Sequence, residues 1–197
     1  DPQQRGLPAS SDWQEQVRPL RLRALAAEAA IARFESGDAQ AILGGRYENF
    51  PLAGSGGLSS GAIRLDPVIG LFGLAAVHRD GFLADPQNRE AIAMAIDRAA
   101  LPDALGIGGW SMTEKILPAG LDDSPEAPPQ SWLALTLEER RAVATSRVTR
   151  WRGARTDPVR LRIAMPSGPG TDRIFARLAD DLGKVGLTAQ RVGPSEP

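Results

Sequence analysis

The last third of the chain shows a hydrophobic pattern that changes period twice. Apolar side chains recur at helical spacing over 171–185, and Gly186 stands where this pattern ends, as a left-handed helix cap requires. Short apolar stretches at 159–165 and 187–192 lie on either side and predict strands. A strand, a helix and a strand in so short a span predict a β-α-β unit with two parallel strands.

Two further helices carry clear start signals. Asp85 can accept hydrogen bonds from the amides of the next turn, and Pro86 suits the first helical position because it has no N–H to satisfy. The apolar stripe that follows predicts a helix that Pro102 ends. Thr136 and Glu139 have the spacing of a capping box, which predicts a second helix running to about residue 151.

The first 80 residues predict alternating strands and one helix. Helical spacing over 26–36 is followed by Gly37, which again fits a helix cap. Segment 51–61 is rich in glycine and serine and predicts a loop. Alternating or β-branched apolar residues predict strands at 18–24, 38–43, 62–65 and 68–77. The whole pattern indicates an α/β protein.

Composition removes most kinds of catalytic and metal chemistry. The 197 residues contain no cysteine, which excludes disulfides, thiolate metal sites and cysteine nucleophiles. His78 is the single histidine, so a site with two histidine ligands is impossible. A Ser–His–Asp triad stays formally possible, but no serine lies in a G-x-S-x-G turn. We therefore assign no catalytic residue and no metal ligand, and expect no cofactor.

Charge patterning predicts neither a nucleic-acid partner nor insertion into a membrane. The net charge is −1, and the longest apolar stretch, 67–77, is too short to span a bilayer. The arginines of 140–162 favour a solvated helix face and an edge strand, with phosphate contacts beside Trp151 as the alternative. Glycine-rich stretches favour tight turns over nucleotide binding, and they lie at 54–57, 106–109 and 167–170.

Aromatic residues supply the remaining candidate site. Several of them fall in predicted loops or at element ends, namely Tyr47, Phe50, Trp110 and Trp132. Aromatic side chains in such places often line binding grooves, because they offer broad contact at a small conformational cost. Packing over a loop is the alternative interpretation for each of them.

The segment 81–98, GFLADPQNREAIAMAIDR, resembles the signature of the family 5 extracytoplasmic solute-binding proteins, the peptide and nickel receptors of ABC importers. The flanking segments 29–42, 136–153 and 159–192 are similar to the family's succession of elements, so the resemblance extends from Pro19 onward. His78 departs from the pattern, since the family often has an asparagine there. The residues that match the signature are Asp85, Arg89, Ala91, Ala95, Ile96, Asp97 and Arg98.

The resemblance implies a periplasmic-binding-protein-like fold of type II, the dipeptide-binding-like form, whose α/β lobes have mixed sheets flanked by helices. Family members are much longer, so this chain is expected to be a partial, middle-to-C-terminal portion. We expect a loosely held N-terminus over 1–16, the end of a hinge-proximal lobe over 17–80, and part of a second lobe over 81–197. Asp97 and Arg98 are expected to pack at a helix end and not to contact ligand.

The implied function is that of the substrate-binding component of an ABC-type importer. Such a protein captures peptides or similar small polar solutes between its lobes and delivers them to a membrane permease; it is not an enzyme. It is periplasmic, with the signal peptide absent from this chain. The ligand-binding candidates are Tyr47, His78 and Trp110. The alternatives are a ligand-sensing module of a regulator, or a small hydrolase that uses His78.

Overall fold

The fold is mixed α/β, with one small sheet among helices. A computed structural model describes residues 3–6, 19–55, 62–65, 70–116 and 130–194. Expectations for most of 1–16, for the end of the 51–61 loop and for the start of the 68–77 strand lie outside the described residues. The loosely held N-terminus and the domain boundaries therefore stay predictions.

The described residues form six α-helices, two strands and four short 3-10 helices. The 3-10 helices are Gln3–Arg5, Tyr47–Asn49, Gly81–Ala84 and Ser131–Ala134. The α-helices and strands, in chain order, are α1 Ala27–Glu35, α2 Phe50–Ser55, α3 Pro86–Ala95, α4 Ala100–Leu105, α5 Leu137–Arg152, β1 Val159–Ala164, α6 Pro169–Gly183 and β2 Leu187–Val192.

The β-α-β prediction is confirmed. Strands β1 and β2 pair in parallel, with Val159 opposite Leu187 and Ala164 opposite Val192, and α6 connects them. Side chains of β1 alternate strictly between buried and exposed, so the sheet is covered on one face. Gly186 has a φ of 82°, as its position after the helix predicted.

The hydrophobic core lies where this unit meets α3 and α5. Helices α3 and α5 pack closely because small residues face one another, and Ala91, Ala95 and Ala144 are fully buried. The apolar face of α6, including Ile174 and Leu182, closes the core from the other side. The core therefore belongs mainly to residues beyond 80.

The helix starts were predicted correctly because their signals are local. The Asp85 carboxylate accepts from the Gln87 amide at 2.8 Å. Thr136 and Glu139 form the full capping box at the start of α5. The end of α3 was predicted wrongly, since the helix stops at Ala95 and the residues around Pro102 form the separate helix α4.

The four strands predicted before residue 80 are wrong wherever the structure describes them. The described residues of 18–24, 38–43, 62–65 and 68–77 contain no strand, and part of the predicted 51–61 loop is helix α2. Apolar side chains in these segments stay open to solvent; Leu20 is 80% exposed and Leu43 is 82% exposed. Alternation describes the faces of a strand, but a strand also needs a partner backbone, and none pairs with these segments in the described structure. The resemblance implies mixed sheets, whereas the described residues contain one two-stranded parallel sheet.

A buried carboxylate ties the end of α3 to α5 and α6. Asp181 is fully buried and accepts hydrogen bonds from the Asp97 amide at 2.9 Å and from Arg141. Arg177 joins the network by donating to the Asp97 carboxylate at 2.9 Å. Arg98 donates to the Ala93 carbonyl at 2.8 Å. The packing role expected of Asp97 and Arg98 agrees with these contacts.

The other signature residues also make contacts within the fold. Arg89 donates to the carbonyls of Leu83 and Ala84, at 2.6 and 3.0 Å, and so holds the 3-10 helix Gly81–Ala84. The buried Asn88 amide donates to the Phe82 carbonyl at 3.0 Å. Several side chains of the segment that carries the family resemblance therefore make structural contacts within the fold.

Candidate functional site

Three aromatic rings from distant parts of the sequence meet at the surface. Tyr47 and Phe72 are in edge-to-face contact, with centroids 4.9 Å apart, and Phe72 and Trp110 lie 5.8 Å apart. Phe72 is 40% exposed and Trp110 is 37% exposed, while Tyr47 is half-buried. We call these three residues the aromatic cluster.

The start of helix α6 fixes the position of Tyr47. A Cβ atom on Gly170 would lie 2.0 Å from the Tyr47 carbonyl oxygen, and one on Gly168 would lie 2.6 Å from the Glu48 carbonyl oxygen. Only glycine permits so close an approach between two backbones. The Gly168 φ of 149° is a further reason for glycine at this turn. The glycine-rich strand-to-helix turn thus supports the aromatic cluster.

Glu48 is a charged residue in the contact between Tyr47–Glu48 and the start of α6, which we call the junction. Its side chain is buried, and its nearest cation is Arg46, whose Nη1 lies 3.7 Å from the Glu48 Oε1. Because Arg46 is largely exposed, this ion pair is in contact with water on one side. The close approach of its backbone to Gly168 places Glu48 beside the start of α6.

Two of the three predicted ligand-binding residues come together in the structure. Tyr47 and Trp110 lie on either side of Phe72. His78 is exposed on the extended stretch before Gly81–Ala84, and no ring contact or hydrogen bond links it to the other two in the described structure. The structure thus groups Tyr47 with Trp110 and leaves His78 apart.

Phe72 is the member of the cluster that sequence reasoning missed. It lies in the apolar run that was interpreted as a strand, where an aromatic residue suggests core packing. No signal in the sequence separates the two roles, because the exposure of the neighbouring Leu71 and Leu74, 55% and 49%, is seen only in the structure. An apolar run with no buried face is typical of a surface that contacts something else.

The side chains of the aromatic cluster are suited to contacting a ligand and not to making or breaking its covalent bonds. Aromatic faces offer dispersion and edge-to-face contacts, and the Tyr47 hydroxyl adds one polar group. Among the residues that the structure describes, no group of three or more histidine, aspartate or glutamate side chains could hold a metal ion. None of the described helices has both the length and the apolar character needed to cross a membrane.

The sequence matches no protein-family model and no curated protein.

Proposed function

We propose that this chain is part of a solute-binding protein of an ABC-type importer, and that it captures a peptide or a similar small polar solute. The observation that carries the proposal is the aromatic cluster: three rings from three segments converge, stay accessible and are held by a backbone junction. The resemblance of 81–98 to the solute-binding signature supports the same class.

The cluster suits reversible capture because it is built before a ligand arrives. The Tyr47 backbone is fixed by the glycines at the start of α6, Phe72 meets the Tyr47 ring edge to face, and Trp110 lies against Phe72. Preformed aromatic surfaces bind with little loss of side-chain entropy, so most of their contact energy goes into affinity. An apolar or aromatic side chain of a bound peptide fits this surface.

In the proposed cycle, the ligand is held between two lobes and its covalent bonds stay unchanged. A ligand can drive closure only by binding the closed state more tightly than the open one. The closed form then delivers its solute to a membrane permease, which places the protein in the periplasm. No nucleophile or acid–base pair takes part in these steps.

A thermal-shift screen tests the proposal on the protein as its gene encodes it. The probes are di-, tri- and tetrapeptides, with free amino acids, simple sugars and metal chelates for comparison. A peptide at about a hundred times its dissociation constant stabilises the protein by roughly 2.7 kcal/mol. We expect a rise in Tm of a few degrees, since 1 kcal/mol shifts the Tm of a protein of 150–250 residues by roughly 2–4 °C and that of a longer one by less.

Variants of the cluster then locate the binding surface. Trp110→Ala is expected to weaken the best peptide by about tenfold or more, as truncation of a central aromatic contact usually does. Trp110→Phe keeps a ring and should retain most of the affinity. Leu43→Ala, at another exposed apolar residue, is the control. The proposal fails if no probe stabilises the protein, or if Trp110→Ala and Tyr47→Ala both bind as the wild type does.

A further inference from the structure

A concave site that shares no residue with the aromatic cluster lies beside the first turn of α3. It is a cavity of about 390 Å³, within the range of roughly 300–1,000 Å³ that is usual for small-molecule sites. The Trp132 indole lines it together with the polar side chains of Gln87 and Gln130. Helix α3 thus supplies one wall, and the 3-10 helix Ser131–Ala134 another.

Opposite charges line this cavity without being paired to each other. Arg98 and Glu114 both face it, and Glu114 attracts the Arg98 guanidinium electrostatically, but no hydrogen bond or ion pair joins them in the described structure. Glu90 also lines the cavity, but its carboxylate is already bound by Arg147. The cavity therefore offers one cation and one anion to a ligand.

Arg98 is held in place with donors to spare. Its guanidinium lies over the Trp132 ring, 5.5 Å from the centroid, and its Nη1 donates to the carbonyls of Ala93 and Ile96, at 2.8 and 3.4 Å. A guanidinium has five N–H donors, and in the described structure Nε and Nη2 make no hydrogen bond. Burial lowers the pKa of Arg98, Glu114 partly opposes that shift, and the nearby Arg140 adds to it. A bound carboxylate would offset the cost of this burial by attracting the charged guanidinium.

We propose that this cavity binds a small zwitterion, with its carboxylate on Arg98, its ammonium group on Glu114 and its aliphatic part against Trp132. A ligand that carries both charges pairs with both groups, whereas a ligand with one charge leaves the other group without a charged partner. This inference is independent of the peptide-binding role given to the aromatic cluster, and it departs from the expectation that Arg98 only packs at a helix end.

Titration calorimetry with amino acids of increasing length tests the inference on the protein as its gene encodes it. The probes are glycine, β-alanine, 4-aminobutyrate and 6-aminohexanoate, which separate the two charges by growing distances. Butyrate and butylamine are the matched ligands with a single charge. We expect one length to bind best, and both single-charge ligands to bind at least tenfold more weakly.

Glu114→Gln should weaken the best zwitterion by about tenfold or more and leave butyrate binding unchanged. Glu138→Gln, at an exposed glutamate outside the cavity, is the control and should bind as the wild type does. The inference is wrong if no member of the series binds, if a single-charge ligand binds as tightly as the best zwitterion, or if folded Glu114→Gln retains full affinity. The comparison of ligands needs only the wild-type protein, so it decides the matter even where a variant fails to fold.

Discussion

Alanine at position 170 would put a methyl group where the fold already has a backbone carbonyl. The added Cβ would lie 2.0 Å from the Tyr47 oxygen, whereas ordinary van der Waals contact begins near 3.4 Å. The two segments would have to separate by 3.4 − 2.0 = 1.4 Å. No rotamer change can relieve the clash, because both partners are backbone. Gly170→Ala therefore forces the start of α6 away from the aromatic cluster.

The size of the effect follows from two opposing contributions. Overpacking of this kind costs about 1–3 kcal/mol, and replacing glycine by alanine within a helix returns roughly 0.5–1 kcal/mol. We expect a net loss of about 1 kcal/mol in the free energy of unfolding, which lowers Tm by roughly 2–4 °C for a chain of this size. Because Tyr47 moves with the junction, peptide affinity should also fall.

Gly183 provides a matched control in the same helix. A Cβ there would meet nothing within 4 Å, and its φ is not in the left-handed region. Gly183→Ala should leave stability unchanged or raise it by up to about 1 kcal/mol. Urea and thermal unfolding of both variants measure the difference. If the two variants unfold within about 0.5 kcal/mol of each other, the close approach of α6 to Tyr47 is not a feature of the folded protein.

Three further outcomes are expected. Asp181→Ala should cost about 3 kcal/mol in chemical denaturation, because it leaves the largely buried Arg141 guanidinium without its carboxylate partner. Asp180→Asn, next to it on the surface, should unfold like the wild type. Hydrogen bonds from the Thr136 amide and hydroxyl lower the pKa of Glu139, so its stabilising effect is complete above its unfolded pKa of about 4.3 and is lost as pH falls through the lower folded value. The stability difference between wild type and Glu139→Gln should therefore shrink in unfolding curves recorded at decreasing pH, and a constant difference would contradict this. His78→Ala should leave both peptide affinity and any hydrolysis of a peptide substrate unchanged, and loss of a measurable hydrolytic rate would favour the hydrolase alternative.

Elements with local signals were predictable from the sequence. The capping box of α5 needs only residues that lie within one helical turn, and the structure contains both of its hydrogen bonds. The strands and helix of the β-α-β unit were predictable for a related reason. Their periodicity changes at Gly186 and at the turn before α6, and both strands find partners within forty residues of each other.

The end of α3 shows what local signals leave out. The helix stops at Ala95 although the residues that follow favour a helix. The backbone amide and carbonyl groups left without helical partners there are bound by residues far along the chain. The Asp97 amide donates to Asp181, and Arg141 Nε donates to the Ala95 carbonyl at 3.1 Å. These partners supply the hydrogen bonds that another helical turn would have made. No residue within one turn of Ala95 indicates these contacts, so the sequence predicts that the helix ends at Pro102.

The candidate site was likewise predictable from the sequence only in part. Tyr47 and Trp110 were identified because aromatic residues in loops or at element ends often line binding grooves, but their proximity depends on Phe72, whose segment predicts a strand. The glycines of the 167–170 turn were interpreted as a tight turn, and one is required at 170 by the approach of Tyr47. Sequence pattern therefore found two of the three rings and the turn beneath them, while the contacts that unite them are long-range.

The same junction explains why the site and the β-α-β unit should gain and lose stability together. Helix α6 buries its apolar face in the core, carries Asp181 to the end of α3 and presents Gly168 and Gly170 to Tyr47 and Glu48. A perturbation that shifts α6 is felt at the aromatic cluster because no side chain separates the two backbones and none can absorb the movement. A ligand that binds the cluster must in turn favour one position of α6, since binding and position are linked by the same free energy. Hydrogen exchange in α6 should therefore slow when a peptide binds at Trp110, and this response should be weaker in Gly170→Ala.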